Sequence, residues 1–173
     1  MHLGSCRVYD FWLDTNSLVV PYSSYYPFTR VPSFWEFLEQ ESKKGIILSS
    51  SMVLQEIEDG CKDDDNPDEL LIWARKQEGV LFLEPNNLVQ QMNRQIADNV
   101  SNNRRFPPWQ VQRFLKGADT WLIAHAKVLG GKVVTFEKTA PNSRKPKIPD
   151  IADQFGVQCI NLHKMLDELR AIF

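Results

Sequence analysis

The chain has few cysteines and no long apolar run, and each shortage excludes a class of protein. Its cysteines are Cys6, Cys61 and Cys159, and no two of them form a C-x-x-C pair, so the sequence indicates neither a zinc site nor a disulfide framework. No stretch approaches the roughly 20 apolar residues that span a bilayer. The amino-terminal segment lacks the uninterrupted apolar core of a signal peptide. We therefore expect no membrane association and a place in the reducing cytoplasm.

The motifs of several enzyme classes are also missing. The sequence contains no Gly-rich phosphate loop, no G-x-S-x-G and no H-E-x-x-H. His2, His125 and His163 are scattered along the chain, so they form no pair for the acid–base chemistry of a metal-independent ribonuclease. His125 is interpreted as a packed helix residue rather than a ligand.

Length and composition are those of one globular domain. The chain has 173 residues, of which 43% are hydrophobic and 24% are charged, and we expect a single domain over residues 1–173.

The net charge of −2 excludes a globally basic nucleic-acid binder. An acidic block runs from Glu56 to Glu69, whereas basic side chains gather in two local stripes that suit phosphates. The best candidates for RNA contacts are Arg104, Arg105, Lys138, Arg144, Lys145 and Lys147, although an ordinary solvated charge run explains them equally well.

Apolar segments alternate with helical patterns along the chain. Strands that are apolar throughout, and alternate with helices, predict a parallel sheet covered on both faces. The expected fold is α/β, a three-layer α/β/α sandwich with a central, mostly parallel sheet. Predicted strands cover residues 7–13, 46–49, 80–83, 132–135 and 157–160. Predicted helices cover residues 33–44, 51–60, 66–77, 88–100, 108–116, 119–129 and 149–156, with one more after Asn161, and residues 22–31 are a predicted loop.

Several helix starts carry capping signals. Ser33 with Glu36 is interpreted as a capping box. Ser50 or Ser51 is expected to cap the second helix. Asn66 before Pro67 predicts the start of the third helix, and Asn161 is expected to cap the last helix.

Four acidic residues lie where apolar runs stop: Asp14, Glu56, Asp119 and Glu137. Residues just past the carboxyl ends of parallel strands point into the usual ligand crevice. Converging carboxylates suit a hard divalent cation, because Mg²⁺ and Mn²⁺ prefer oxygen ligands. Such an ion activates water and neutralises phosphate charge, so the pattern indicates metal-assisted phosphate chemistry.

Each acid also has a purely structural interpretation. Asp14 is then a turn residue or a helix cap, Glu56 an exposed helix residue, Asp119 an N-cap and Glu137 a solvated loop residue. Asp150 and Asp153 are assigned to a helix start and are left out of the site.

The four segments together resemble a known family. Leu13-Asp14-Thr15-Asn16 after the first strand, Glu56 on the second helix, Ala118-Asp119-x-x-Leu-Ile-Ala, and Val133-Val134-Thr135-x-Glu137 resemble PIN-domain nucleases in order and spacing, over nearly the whole chain. The segments Tyr25-Tyr26-Pro27-Phe28, Phe34-Trp35-x-Phe37 and Lys147-Ile148-Pro149-Asp150 resemble the VapC-like toxin subfamily.

The resemblance implies a Mg²⁺- or Mn²⁺-dependent endoribonuclease that is held inactive by a cognate antitoxin. Asp14, Glu56 and Asp119 match the three core acids, which are catalytic and bind metal. Glu137 matches the fourth acid, where Asp is more usual. Asn16 matches the residue that orients the first-strand Asp, and Thr135 matches a hydroxyl position near the fourth acid. The implied partners are RNA and an antitoxin, and a homodimer is a further expectation.

Two other functional classes remain open. The first is a noncatalytic RNA- or partner-binding module that keeps a PIN-like fold. The second is an enzyme that forms an aspartyl-phosphate. Asn16 stands where such an enzyme has its second Asp, and only Lys138 follows an apolar strand.

Overall fold

The sheet has five parallel strands. A computed structural model of the chain describes residues 10–61 and 66–173, and within these ranges the strands are ordered β3-β2-β1-β4-β5, all parallel. Their bounds are β1 Phe11–Leu13, β2 Ile47–Ser50, β3 Phe82–Leu83, β4 Lys132–Val134 and β5 Cys159–Ile160. Helices flank this sheet, so the predicted three-layer α/β/α fold is confirmed.

The helices follow the strands in the predicted alternation. They are α1 Asn16–Val20, α2 Pro32–Lys43, α3 Ser51–Gly60, α4 Glu69–Lys76, α5 Asn87–Asn102, α6 Pro108–Lys116, α7 Asp119–Leu129, α8 Ile148–Gln154 and α9 Leu162–Glu168. A π-helical turn, Pro21–Tyr25, follows α1 directly. Within the two described ranges, no helix is long and apolar enough to cross a bilayer.

Strand β1 lies at the centre of the sheet. Phe11 pairs with Ile47 on one side, and Leu13 pairs with Val134 on the other. Trp12 and Leu13 are fully buried, as expected for a strand that is covered on both faces. Helix α7 packs against β1, β2 and β4. Its His125 is buried against the Trp12 ring at 4.8 Å, in agreement with a packed helix histidine.

Two predicted caps form, and two are wrong. The Ser50 hydroxyl accepts from the Met52 amide at 3.3 Å, and Asn161 caps α9. The predicted capping box does not form, because α2 begins at Pro32 and has no side-chain cap; proline suits a first helical position. Asp68 rather than Asn66 caps α4.

The segment after β1 differs most from the prediction. Residues 14–16 were expected to form a turn and residues 22–31 a loop, with no element predicted between them, but residues 16–25 form α1 and the π-helical turn. The Ser17 hydroxyl donates to the Val134 carbonyl at 2.9 Å, and Leu18 is fully buried. Tertiary contacts therefore stabilise a helix that local propensity does not favour. Residues 7–9 of the predicted first strand, Cys6 and the acids Asp63, Asp64 and Asp65 lie outside the described residues.

Candidate active site

Asp14 lies directly after β1 and is almost completely buried. Because Leu13 pairs with Val134, the next residues, Asp14 and Thr135, come side by side. The Thr135 hydroxyl donates to Asp14 Oδ2 at 2.7 Å, and the Ser17 amide donates to Oδ1 at 2.6 Å. Burial nevertheless raises the pKa of Asp14 to about 6, because the hydrogen bonds only partly offset desolvation and the charge of Glu137 adds to it.

Glu56 connects α3 to the segments that carry two other acids. Its Oε1 accepts from the Ala118 amide at 2.8 Å, and its Oε2 accepts from the Thr15 hydroxyl. Thr15 follows Asp14, and Ala118 precedes Asp119. The carboxylate thus sits at the amino-terminal end of α7, where the helix dipole favours a negative charge.

Asp119 is the first residue of α7 and is partly buried. The N-cap is Ala118 and no side chain caps the helix, so the interpretation of Asp119 as an N-cap is wrong. Burial, followed by the charges of Glu137, Glu56 and Asp14, raises the pKa of Asp119 to about 8, and Lys145 partly offsets this. The other three carboxylates therefore lie within electrostatic reach of Asp119.

Glu137 is anchored at the start of the loop that follows β4. Its Oε1 lies 3.1 Å from the Lys147 ammonium, and its Oε2 accepts from the Ile148 amide at 2.9 Å. Its own amide donates to the Thr135 hydroxyl at 3.0 Å, so Thr135 links Asp14 to Glu137. Glu137 is a paired group and not a solvated loop residue.

The four acids differ in the hydrogen bonds that their carboxylate oxygens accept. Both oxygens of Asp14, Glu56 and Glu137 accept hydrogen bonds. The Asp119 carboxylate accepts none from residues 10–61 and 66–173. Within those same ranges, no three His, Cys, Asp or Glu side chains lie close enough together to enclose a metal ion by themselves.

The two basic stripes meet beside these acids. Arg105 donates to the Pro141 carbonyl and lies over the Phe106 ring at 4.9 Å. Asp150, in the first turn of α8, accepts from the Ala140 amide at 2.9 Å and so holds the loop of residues 136–147. The candidate RNA contacts Arg104, Arg105, Lys138, Arg144 and Lys145 are exposed, whereas Lys147 is partly buried against Glu137.

A cleft opens next to this cluster. Its lining includes Thr135, Glu137, Lys138 and His163. Its volume is about 280 Å³, which is enough to admit part of a nucleotide beside Glu137.

One residue predicted to belong to the site lies outside it, and three residues of the site were not predicted. Asn16 was expected to orient Asp14, but it is exposed at the start of α1, and the Ser17 amide and Thr135 hydroxyl hold Asp14 instead. Thr15, Ser17 and Gly117 were missed. The run Asp-Thr-Asn-Ser after a buried strand could have indicated that the hydroxyl residues Thr15 and Ser17 belong to the site. Gly117, directly before Ala118-Asp119, could have indicated that another group approaches the main chain closely there.

Comparison with known proteins places the chain in a family. A family model described as a domain of unknown function (DUF4411) matches residues 11–173. The matched region contains all five strands and all four carboxylates. A search of curated proteins finds no match.

Proposed function

The chain belongs to the DUF4411 family, and we propose that it is a metal-dependent endoribonuclease that hydrolyses RNA phosphodiester bonds. The observation that carries the proposal is the environment of the Asp119 carboxylate. This partly buried carboxylate has no hydrogen-bond donor among the described residues and faces three other carboxylates. Such an environment favours a group that neutralises the carboxylate, either a proton or a bound cation.

The donor set fits Mg²⁺ or Mn²⁺, because every candidate ligand atom is a carboxylate oxygen. Mg²⁺ usually keeps several waters and takes only one or two protein carboxylates, so it does not require three side chains in direct contact. Asp119 would hold the ion directly, because its oxygens accept no hydrogen bond from the described residues. Asp14, Glu56 and Glu137, whose oxygens already accept hydrogen bonds, would complete the site, in part through bound water.

A bound ion would supply an activated water and neutralise charge on the phosphate. The chain's own residues fix the acids that surround it. Ser17 and Thr135 hold Asp14, Thr15 and Ala118 hold Glu56, and Lys147 with Ile148 holds Glu137. Asp119 retains its proton at neutral pH in the metal-free protein, because its pKa is about 8.

RNA is the proposed substrate because exposed cations flank the acids and because the motifs resemble PIN-domain nucleases. We extend the resemblance to a toxin role, in which a cognate antitoxin occupies the site. Inhibition of cleavage by the product of a neighbouring reading frame tests this role. If that product leaves cleavage unchanged, the toxin assignment fails and the nuclease assignment is untouched.

The nuclease proposal is tested with total cellular RNA in Mg²⁺, Mn²⁺ or excess chelator. We expect cleavage that stops with chelator and in Asp14→Asn and Asp119→Asn. Asp98→Asn, an exposed acid on α5, is the matched control and should cleave normally. If RNA stays intact while calorimetry shows metal binding, a noncatalytic RNA- or partner-binding module is the better description.

A further inference from the structure

Trp109 is an unusually exposed tryptophan. It lies in the first turn of α6 with 61% of its surface accessible. Tryptophan is highly buried on average. Trp109 makes no ring contact with another aromatic side chain of residues 10–61 and 66–173. Most of the Trp109 side chain is therefore accessible to a partner.

Two exposed basic side chains lie on the same side of α6 as Trp109. Arg113 and Lys116 lie four and seven residues after Trp109 and are exposed, and this spacing places all three on one side of a helix. The opposite side packs into the protein through buried Phe114 and partly buried Val111.

The charged residues in and around α6 are all basic. Residues 99–118 contain Arg104, Arg105, Arg113 and Lys116 but no acidic residue, although the whole chain has a net charge of −2. An exposed helix face whose charged side chains are all positive attracts a polyanion. Protein–protein contacts, in contrast, are depleted of charge at their centres.

Helix α6 also ends beside the carboxylates. It stops at Lys116, one residue before Gly117, and a β-carbon at Gly117 would lie 2.7 Å from Glu56 Oε1. At about 1.5 Å per residue, the face from Trp109 to Lys116 extends roughly 10 Å from that end. A strand held along it leads to the acids.

We propose that the exposed face of α6, formed by Trp109, Arg113 and Lys116, binds an unpaired segment of RNA. A base stacks on the Trp109 ring, and Arg113 and Lys116 contact the flanking phosphates. Stacking requires an unpaired base, so the face selects single-stranded over duplex RNA. This inference rests on the proposed function, since it identifies the form of RNA delivered to the same carboxylates.

The test measures binding without cleavage. A short fluorescein-labelled single-stranded RNA is titrated with the protein in excess chelator, and anisotropy is recorded at several salt concentrations. We expect Trp109→Ala to weaken binding by on the order of tenfold, and Trp109→Phe to retain most of the affinity because its ring still stacks. Arg113→Ala and Lys116→Ala should each reduce the slope of log affinity against log salt by about 0.7.

Two control variants each remove a side chain of similar exposure or charge elsewhere on the surface. Leu88 on α5 has the same exposed fraction, 61%, and Lys164 on α9 is an exposed cation. Leu88→Ala and Lys164→Ala should bind the RNA as the parent protein does. Thermal unfolding of every variant checks that the fold is retained.

The inference is overturned if Trp109→Ala binds the single strand as tightly as the parent. It is also overturned if that substitution weakens binding of the matching duplex equally, or if it leaves RNA binding intact and alters only self-association. Cleavage is assayed separately with Mg²⁺. Binding that depends on Trp109 without any cleavage would defeat the nuclease proposal alone, whereas cleavage with unchanged binding by Trp109→Ala would defeat this inference alone.

Discussion

Gly117 and Glu56 approach so closely that no side chain fits between them. A β-carbon on Gly117 would lie 2.7 Å from Glu56 Oε1, and the following amide, that of Ala118, donates to the same oxygen at 2.8 Å. Close approach of a carboxylate to the main chain is a position for glycine. Glycine here serves the site rather than a turn.

Gly117→Ala should therefore disturb Glu56. The added methyl pushes away the end of a flexible side chain, so we expect the loss of about one charged hydrogen bond, roughly 1.5–3 kcal/mol of the free energy of unfolding. RNA cleavage should fall by on the order of tenfold or more. Urea unfolding and a cleavage assay measure the two effects. Gly60→Ala, where nothing lies within 4 Å of the added carbon, should change neither, and equal losses in both variants would contradict the explanation.

Thr135→Val removes the hydroxyl that joins Asp14 to Glu137. The substitution leaves Asp14 Oδ2 and the Glu137 amide without their partner, at a cost of about 1–3 kcal/mol in the free energy of unfolding. Cleavage should fall as well. Thr29→Val, in an exposed loop position, is the control. Unchanged stability of Thr135→Val would show that the hydroxyl is dispensable.

The stability of the metal-free protein should decrease with rising pH. Folding raises the pKa of Asp119 from 3.8 to about 8 and that of Asp14 from 3.8 to about 6. Above about pH 4 these two carboxyl groups bind fewer protons in the unfolded chain than in the folded protein, so their contribution to the free energy of unfolding falls until both have ionised, above about pH 8. Burial lowers the pKa of His125, which opposes this decline below about pH 7.

Asp119→Asn should flatten this decline between pH 7 and pH 8, where Asp14 has largely ionised and Asp119 is still losing its proton. Urea unfolding across that interval measures the slope, and Asp98→Asn should keep it. If Asp119→Asn loses stability as steeply as the parent, another group causes the pH dependence.

Lys147→Met should raise the affinity for Mg²⁺ several-fold. The Lys147 ammonium lies 3.1 Å from Glu137 Oε1, where it neutralises the carboxylate and repels a second cation. Isothermal calorimetry measures the affinity, and Lys164→Met controls for the loss of one positive charge. Weaker binding by Lys147→Met would show instead that this ion pair holds Glu137 in place for the ion.

The fold was predictable because burial governs most of it. Segments such as Val133-Val134 are apolar throughout, and a strand covered on both faces needs that pattern. Strand ends were less predictable, and β3 is only Phe82–Leu83 because strand length depends on where a neighbour offers backbone partners. Helix α1 was missed because it depends on the bond from Ser17 to Val134, 117 residues away.

The acids of the candidate site were predictable, but their partners were not. Asp14 stood out because it follows a buried strand. The choice between Asn16 and Ser17 as its neighbour depends on where α1 begins, since a shift of one residue turns a side chain by about 100°. The start at Asn16 turns that residue outward and places the Ser17 amide on Asp14.

The central position of β1 governs when the site can exist during synthesis. The chain makes β1 first, but its partner β4 comes more than a hundred residues later, and the Asp14–Thr135 hydrogen bond spans 121 residues. Until β4 leaves the ribosome, one edge of β1 is bare and Asp14 lacks its hydroxyl donor. A nascent chain therefore carries three of the four acids without an assembled site, and the proposed phosphodiester chemistry must wait until β4 and Glu137 have left the ribosome.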